Sequence, residues 1–272
     1  MTTPEPIPNA RELLAFYLEA GVDCALSETP VNRLVEEPAS EERQAPKPAL
    51  FRTANPPPVV PASAQSAPAP DAAIMSAREI APKAASLQEL RELLERFDGC
   101  ALKSTATRLV FADGNPEAKI MFVGEAPGRD EDLEGLPFVG RSGKLLDLMM
   151  AAIGLDRTKV YIANIIPWRP PGNRDPSPQE TQICLPFIRR QIELVDPDVL
   201  VCLGKPSSQA VLDLKDGIMK TRGKWIDYDT GTRKIKAMAT FHPAYLLRQP
   251  IYKRLTWQDL RSVQKTLTGV AS

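Results

Sequence analysis

Residues 119–140 read KIMFVGEAPGRDEDLEGLPFVG. The apolar run Ile120-Met121-Phe122-Val123 has the length and composition of a strand buried on both faces. It ends at Gly124-Glu125-Ala126-Pro127-Gly128, where two glycines and a proline impose a tight turn. Asp130, Glu131, Asp132 and Glu134 follow as an acidic loop, and Leu136-Pro137-Phe138-Val139-Gly140 is an apolar segment that its Pro and Gly hold in a loop. In open α/β sheets ligands bind beyond the carboxyl ends of the strands, so chemistry is expected here. Taken alone, the stretch is equally a strand, a turn and a solvated loop.

Outward from it, residues 160–166, 199–203 and 234–240 are further apolar strand candidates. Helical spacing covers 142–153, 180–194, 206–214, 245–248 and 256–267, with Pro206 opening its helix. Ser86-Leu87-Gln88-Glu89 matches a capping box, and Leu90, Leu93 and Leu94 carry that helix to Phe97. Asp113-Gly114-Asn115-Pro116 reads as a turn. Strands that alternate with helices predict a parallel sheet covered on both faces. The expected fold class is α/β, a three-layer α/β/α sandwich with a central four-stranded parallel sheet.

Ahead of that domain, Leu13, Leu14, Tyr17 and Leu18 recur at helical spacing, so residues 1–35 are expected to be a short helical extension. Residues 36–75 are dominated by Pro, Ala, Ser and charge without an apolar period, and are expected to be a disordered linker. The predicted catalytic domain is then 76–272.

The chain carries no net charge, but the charge is uneven. Residues 1–75 hold five basic against ten acidic side chains, and the remainder 29 against 24. The basic excess after residue 204 permits a phosphate-binding face and equally an ordinary solvated surface. No apolar run is long enough for a membrane span. The N-terminus lacks a basic segment followed by an apolar core. The expected location is cytoplasmic, where disulfides among Cys24, Cys100, Cys184 and Cys202 are not expected.

Three predicted strand ends converge. They bring Glu125, Glu131 and Phe138, then Asn164, then Phe241-His242-Pro243-Ala244-Tyr245-Leu246-Leu247-Arg248, which holds the sole histidine. Together with Arg169-Pro170-Pro171-Gly172-Asn173-Arg174, these motifs resemble a family 4 uracil-DNA glycosylase, over about residues 86–265. The resemblance implies a parallel sheet between helices. It also implies hydrolysis of the bond between uracil and deoxyribose in DNA, which leaves an abasic site for base excision repair.

The residue types suit that chemistry. The base must leave the stack and enter a pocket. By the resemblance, Phe138 stacks on it, and the Asn164 amide matches uracil's O4 and N3–H. Gly124, Ala126, Pro127 and Gly128 border the base or a phosphate with main-chain N–H groups. His242 donates a hydrogen bond to O2, where negative charge grows as the bond breaks. Glu131 and Glu125 are the candidates to orient the water and stabilise the cationic sugar. Leu246 and Leu247 fill the vacated stack, with Arg248 near the backbone.

The family also holds a four-iron cluster on four cysteines. Cys100 and Cys184 fit two of those positions, but Phe97 and Trp168 stand at the other two, and neither ligates iron. The expectation is therefore a chain without a cofactor, with those side chains filling the volume. The implied partner is uracil-containing DNA, met by a monomer away from any membrane, with the N-terminal helix free to dock a protein. Two other readings stay open at this point: a uracil- or damage-binding protein without turnover, and a polymerase-associated partner-binding module.

Overall fold

The structure is a computed structural model and describes residues 70–269. The helix expected within 1–35, the linker up to residue 69 and Cys24 lie outside the described residues.

The chain begins with helix α1 (Pro70–Ile80), a 3-10 turn (Ala81–Lys83), α2 (Leu87–Arg96) and the short α3 (Leu102–Thr105). The core then alternates: β1 (Asp113–Gly114), β2 (Ile120–Gly124), α4 (Arg129–Glu134), α5 (Arg141–Ala151), β3 (Tyr161–Asn164), α6 (Pro178–Val195), β4 (Val199–Leu203), α7 (Lys205–Leu212) and α8 (Ile218–Thr221). It closes with β5 (Trp225–Asp229), β6 (Lys234–Thr240), α9 (Pro243–Arg248) and α10 (Lys253–Leu267). No helix among the described residues is long and apolar enough to cross a membrane.

The sheet runs in the order β1-β3-β2-β4-β6-β5. Its four central strands are parallel, as expected, and β1 and β5 add antiparallel edges. The sequence reading missed both edges. β1 is only two residues long and lies where a turn was expected, and β5 alternates half-buried and exposed positions without an apolar run.

Successive residues of each central strand face opposite layers. Met121, Val123, Tyr161, Ala163, Leu200 and Cys202 pack with α1, α2 and α6 on one side. Ile120, Phe122, Ile162, Val199, Val201 and Met238 pack with α5, α9 and α10 on the other. Two-sided burial is why these strands read as continuous apolar runs.

Local signals set the ends of the helices. The Ser86 hydroxyl accepts from the Glu89 N–H at 3.2 Å, and the Glu89 carboxylate accepts from Ala85 at 2.7 Å. Ser177 and Glu180 form a full capping box ahead of α6, with Pro178 at its first position.

Two expectations need correction. The acidic loop after Gly128 is helix α4, with Asp130, Glu131 and Asp132 in its first turn, where the helix dipole favours negative charge, and Gly135 ends it at φ +78°. The linker's expected end at residue 75 falls inside α1, which buries Ala73 and Ala77. Small residues let this helix lie close on α6, a contact that an apolar-period search does not register.

Candidate functional site

From β2 the chain proceeds to β3 on one side, and from β4 it proceeds to β6 on the other. The carboxyl ends of β2 and β4 therefore meet where the winding reverses, the expected place for a ligand crevice. A cavity of about 630 Å³ opens there. The turn after β2, the β3 end, the loop through Asp175, the start of α7 and the β6–α9 junction all line it.

Glu131 is buried behind the turn. One carboxylate oxygen accepts from the Gly128 N–H at 3.0 Å, and the other accepts from the Val139 and Gly140 N–H groups at 3.1 and 3.0 Å. This side chain joins the 124–128 turn to the loop that carries Phe138. Both of its oxygens are engaged by these backbone donors, so it ties the two loops together.

Phe138 is held in the left-handed region at φ 56°, an uncommon backbone for a bulky residue. The surrounding contacts impose it. Arg157 donates to the carbonyls of both Pro137 and Phe138 and is itself paired with Asp113 and Asp147. Glycine at 143 is required as well, since a Cβ there would collide with the Phe138 carbonyl.

Asn164 ends β3 and is buried beside Phe138. A Cβ on Gly124 would overlap both the Asn164 amide oxygen and the Phe138 ring, so glycine lets these two side chains converge. The chain is fixed here by the Ile165 N–H donating to the Gly124 carbonyl at 3.1 Å. Asn164 Oδ1 is the one buried side-chain polar atom without a hydrogen-bond partner among the described residues. An orphaned acceptor of this kind carries a desolvation cost unless a ligand donates to it.

His242 caps α9, with its Nδ1 accepting from the Ala244 N–H at 3.1 Å. The neutral ring therefore carries its proton on Nε2. Burial, with a smaller contribution from the Arg248 charge, pushes the His242 pKa down to about 4, so the ring is neutral at physiological pH. Its centroid lies 5.5 Å from that of Phe138.

Glu125 lines the same cavity, half-buried. Burial and then the nearby Asp175 carboxylate raise its pKa to about 7. Ala126, Pro127 and Gly128 line the cavity beside it.

One expectation fails outright. Leu246 is 1% exposed and belongs to the core, so it cannot enter a DNA stack. Its neighbour Leu247 is exposed, as is Arg248. Helical geometry places adjacent residues on different faces, and the sequence alone did not say which leucine faced out. The sequence reading also missed Ser142, Asp175, Lys205 and Pro206 as cavity residues. The signal for the last two was available, since Gly204-Lys205-Pro206 follows a strand directly.

The cysteines form a separate feature. The Cys100 and Cys184 sulfurs lie 3.9 Å apart, both buried. Phe97 and Trp168 are buried in the same core cluster, and the Phe97 ring packs 5.0 Å from that of Phe187. Gly99 makes room for the Phe97 ring. Among the described residues, no group of three or more His, Cys, Asp or Glu is placed to hold a metal ion. Two thiols beside a packed aromatic plug do not fit a four-iron cluster.

A family model described as the uracil DNA glycosylase superfamily matches residues 111–261. The chain is 44% identical over 168 residues to the type-4 uracil-DNA glycosylase of Archaeoglobus fulgidus, across 60% of this chain and 84% of that protein. The type-4 uracil-DNA glycosylase of Thermotoga maritima is 42% identical over 181 residues, 65% of this chain and 93% of that one. That of Sulfurisphaera tokodaii is 38% identical over 185 residues, 66% and 84%.

Proposed function

The chain belongs to the uracil-DNA glycosylase superfamily, and from the geometry of its pocket we propose how it reads and releases the base. It is a DNA-repair hydrolase that acts on the N-glycosyl bond of uracil in DNA.

The observation that carries the reading is the unpartnered Asn164 Oδ1, buried beside Phe138. Uracil offers a donor at N3 and an acceptor at O4, which the Asn164 oxygen and amide N–H₂ complement. Cytosine lacks the N3 proton and presents an amino group instead, so it would leave the Asn164 oxygen orphaned and set two donors against each other. The Phe138 ring, on a backbone that Arg157 holds through the Pro137 and Phe138 carbonyls, gives the flipped base a flat apolar surface. His242 Nε2–H donates to O2 as charge builds there. A neutral ring suits this role, because it donates the hydrogen bond without first having to gain a proton. Glu125 is the carboxyl free to orient the attacking water and stabilise the cationic sugar, while Glu131 keeps the two loops in register around it. We read the chain as doing this without an iron cluster, on the strength of the paired thiols and the aromatic plug. The catalytic domain on this reading begins at α1.

The test is incubation of purified protein with an oligonucleotide containing one uracil, followed by alkaline cleavage of abasic sites. Strand scission at the uracil and none at a thymine control supports the reading; an intact strand removes it.

A further inference from the structure

The Cys184 S–H donates to the Cys100 sulfur at 3.9 Å, although the two residues stand 84 positions apart in the chain. Both are buried. A core thiol ordinarily packs as a small apolar group, as Cys202 does inside β4. Here the fold sets one thiol against another. The Phe97 N–H donates to the Leu94 carbonyl at 3.1 Å. The Lys103 ammonium donates to the Glu95 carbonyl at 2.7 Å and to Asp98 at 2.6 Å. These bonds hold the bend between α2 and α3 that carries Cys100. Cys184 projects from α6 on the other side of the contact. No group of three or more metal-ligating side chains forms among the described residues, so the pair is left with the chemistry of a dithiol.

A disulfide needs its sulfurs about 2.0 Å apart, so they must approach further. Helix α6 can supply the movement. Pro186 lies inside it, just beyond Cys184, and has no N–H to give to the Gln182 carbonyl. The helix therefore lacks a rung beside the thiol. A small oxidant also has an approach. A cleft of about 510 Å³ between α1 and α2 is lined by Phe97 and Gly99, and Gly99 adjoins Cys100.

We propose that Cys100 and Cys184 are an oxidation site for a small peroxide, whose product is a disulfide stapling the α2–α3 bend to α6. Cys100, as the thiolate, attacks one peroxide oxygen. An S–O bond forms, the O–O bond breaks, and hydroxide leaves. The Cys184 sulfur then attacks the Cys100 sulfur. The S–S bond forms as the S–O bond breaks, and the departing hydroxide takes the Cys184 proton as water. In all, two thiols lose two electrons and two protons, and one peroxide becomes two waters.

The test uses the full-length protein, reduced, freed of reductant and exposed to hydrogen peroxide without denaturant. Iron is measured first. Thiols are then alkylated in denaturant, and the digested protein is mapped by mass spectrometry. The four free thiols are expected to fall to two, with one cross-linked product joining the Cys100 and Cys184 peptides. Dithiothreitol is expected to restore all four. The bridged protein is expected to melt several degrees above the reduced one, since the bridge closes a long loop. Cys100→Ser and Cys184→Ser are each expected to lose both the product and the shift. If either variant fails to fold, the wild-type map and melting decide. Cys100 paired with Cys24 or Cys202, Cys100 recovered only as its oxygenated acids, or an unshifted melting point overturns the proposal. The proposal rests on reading these thiols as free of a cluster. Iron-free protein that forms no bridge refutes the dithiol alone, whereas iron-bearing protein overturns both.

Discussion

Glu131 accepts the Gly140 N–H at 3.0 Å with one carboxylate oxygen and the Gly128 N–H at 3.0 Å with the other, so one side chain ties the turn after β2 to the loop that carries Phe138. With the Val139 N–H, three backbone donors depend on it. Glu131→Ala leaves them without an acceptor in a buried place, a loss of about 2–4 kcal/mol. Chemical denaturation is expected to show this together with slower uracil excision. Unchanged stability would mean the loops hold their register without it.

The Glu125 carboxyl titrates at about 7. If its ionised form serves the reaction, the single-turnover rate falls as pH drops through 7. His242, held near 4, adds no limb in that range. Glu125→Gln is expected to lower the rate and flatten the profile. The stability effect has the opposite sense. Between pH 4.5, the ordinary value, and about 7 the folded protein keeps a proton that the unfolded chain has released, so this residue's contribution to stability declines as pH rises across that window. Glu125→Gln removes the decline. A wild-type rate profile that stays flat through neutral pH would rule Glu125 out as the base.

With two thiols and an aromatic plug where four ligands would be needed, protein purified without air is expected to be colourless and essentially iron-free. Near-stoichiometric iron with a broad visible absorption band would show that ligands come from elsewhere in the chain.

Helix α1 buries Ala73 and Ala77 and packs along α6. A chain that begins at Pro70 should therefore keep the stability of the whole domain. One that begins at Ser76 should lose about 1–3 kcal/mol through the apolar surface it uncovers. Equal melting of the two would return the boundary to the position expected from composition.

The parts legible in the sequence were those with one dominant signal. The central strands are buried on both faces and read as unbroken apolar runs, and Ser86 marks a helix start through local chemistry, whereas the start at Ser177 and Pro178 was read as loop. What stayed hidden depends on contacts distant in the chain. Glu131 and Asp132 look solvated in sequence, yet Asp132 accepts from Thr107 and Arg108, and Glu131 from the loop eight and nine residues on. The pocket residues Asn164 and His242 were legible as strand-end residues. The free acceptor on one and the tautomer of the other needed the fold. Leu246 and Leu247 differ only in which face of α9 they occupy.

The central claim is that Asn164 reads uracil and His242 stabilises the departing base, and single-turnover excision by Asn164→Asp and His242→Ala tests it most directly. His242→Ala removes a hydrogen bond that strengthens as the bond breaks, so the rate should fall on the order of 10²–10³ while binding of uracil-containing DNA changes far less. Asn164→Asp loses the amide donor to O4, so uracil excision should fall strongly and cytosine excision rise slightly. Wild-type single-turnover rates on uracil in both variants would contradict the account.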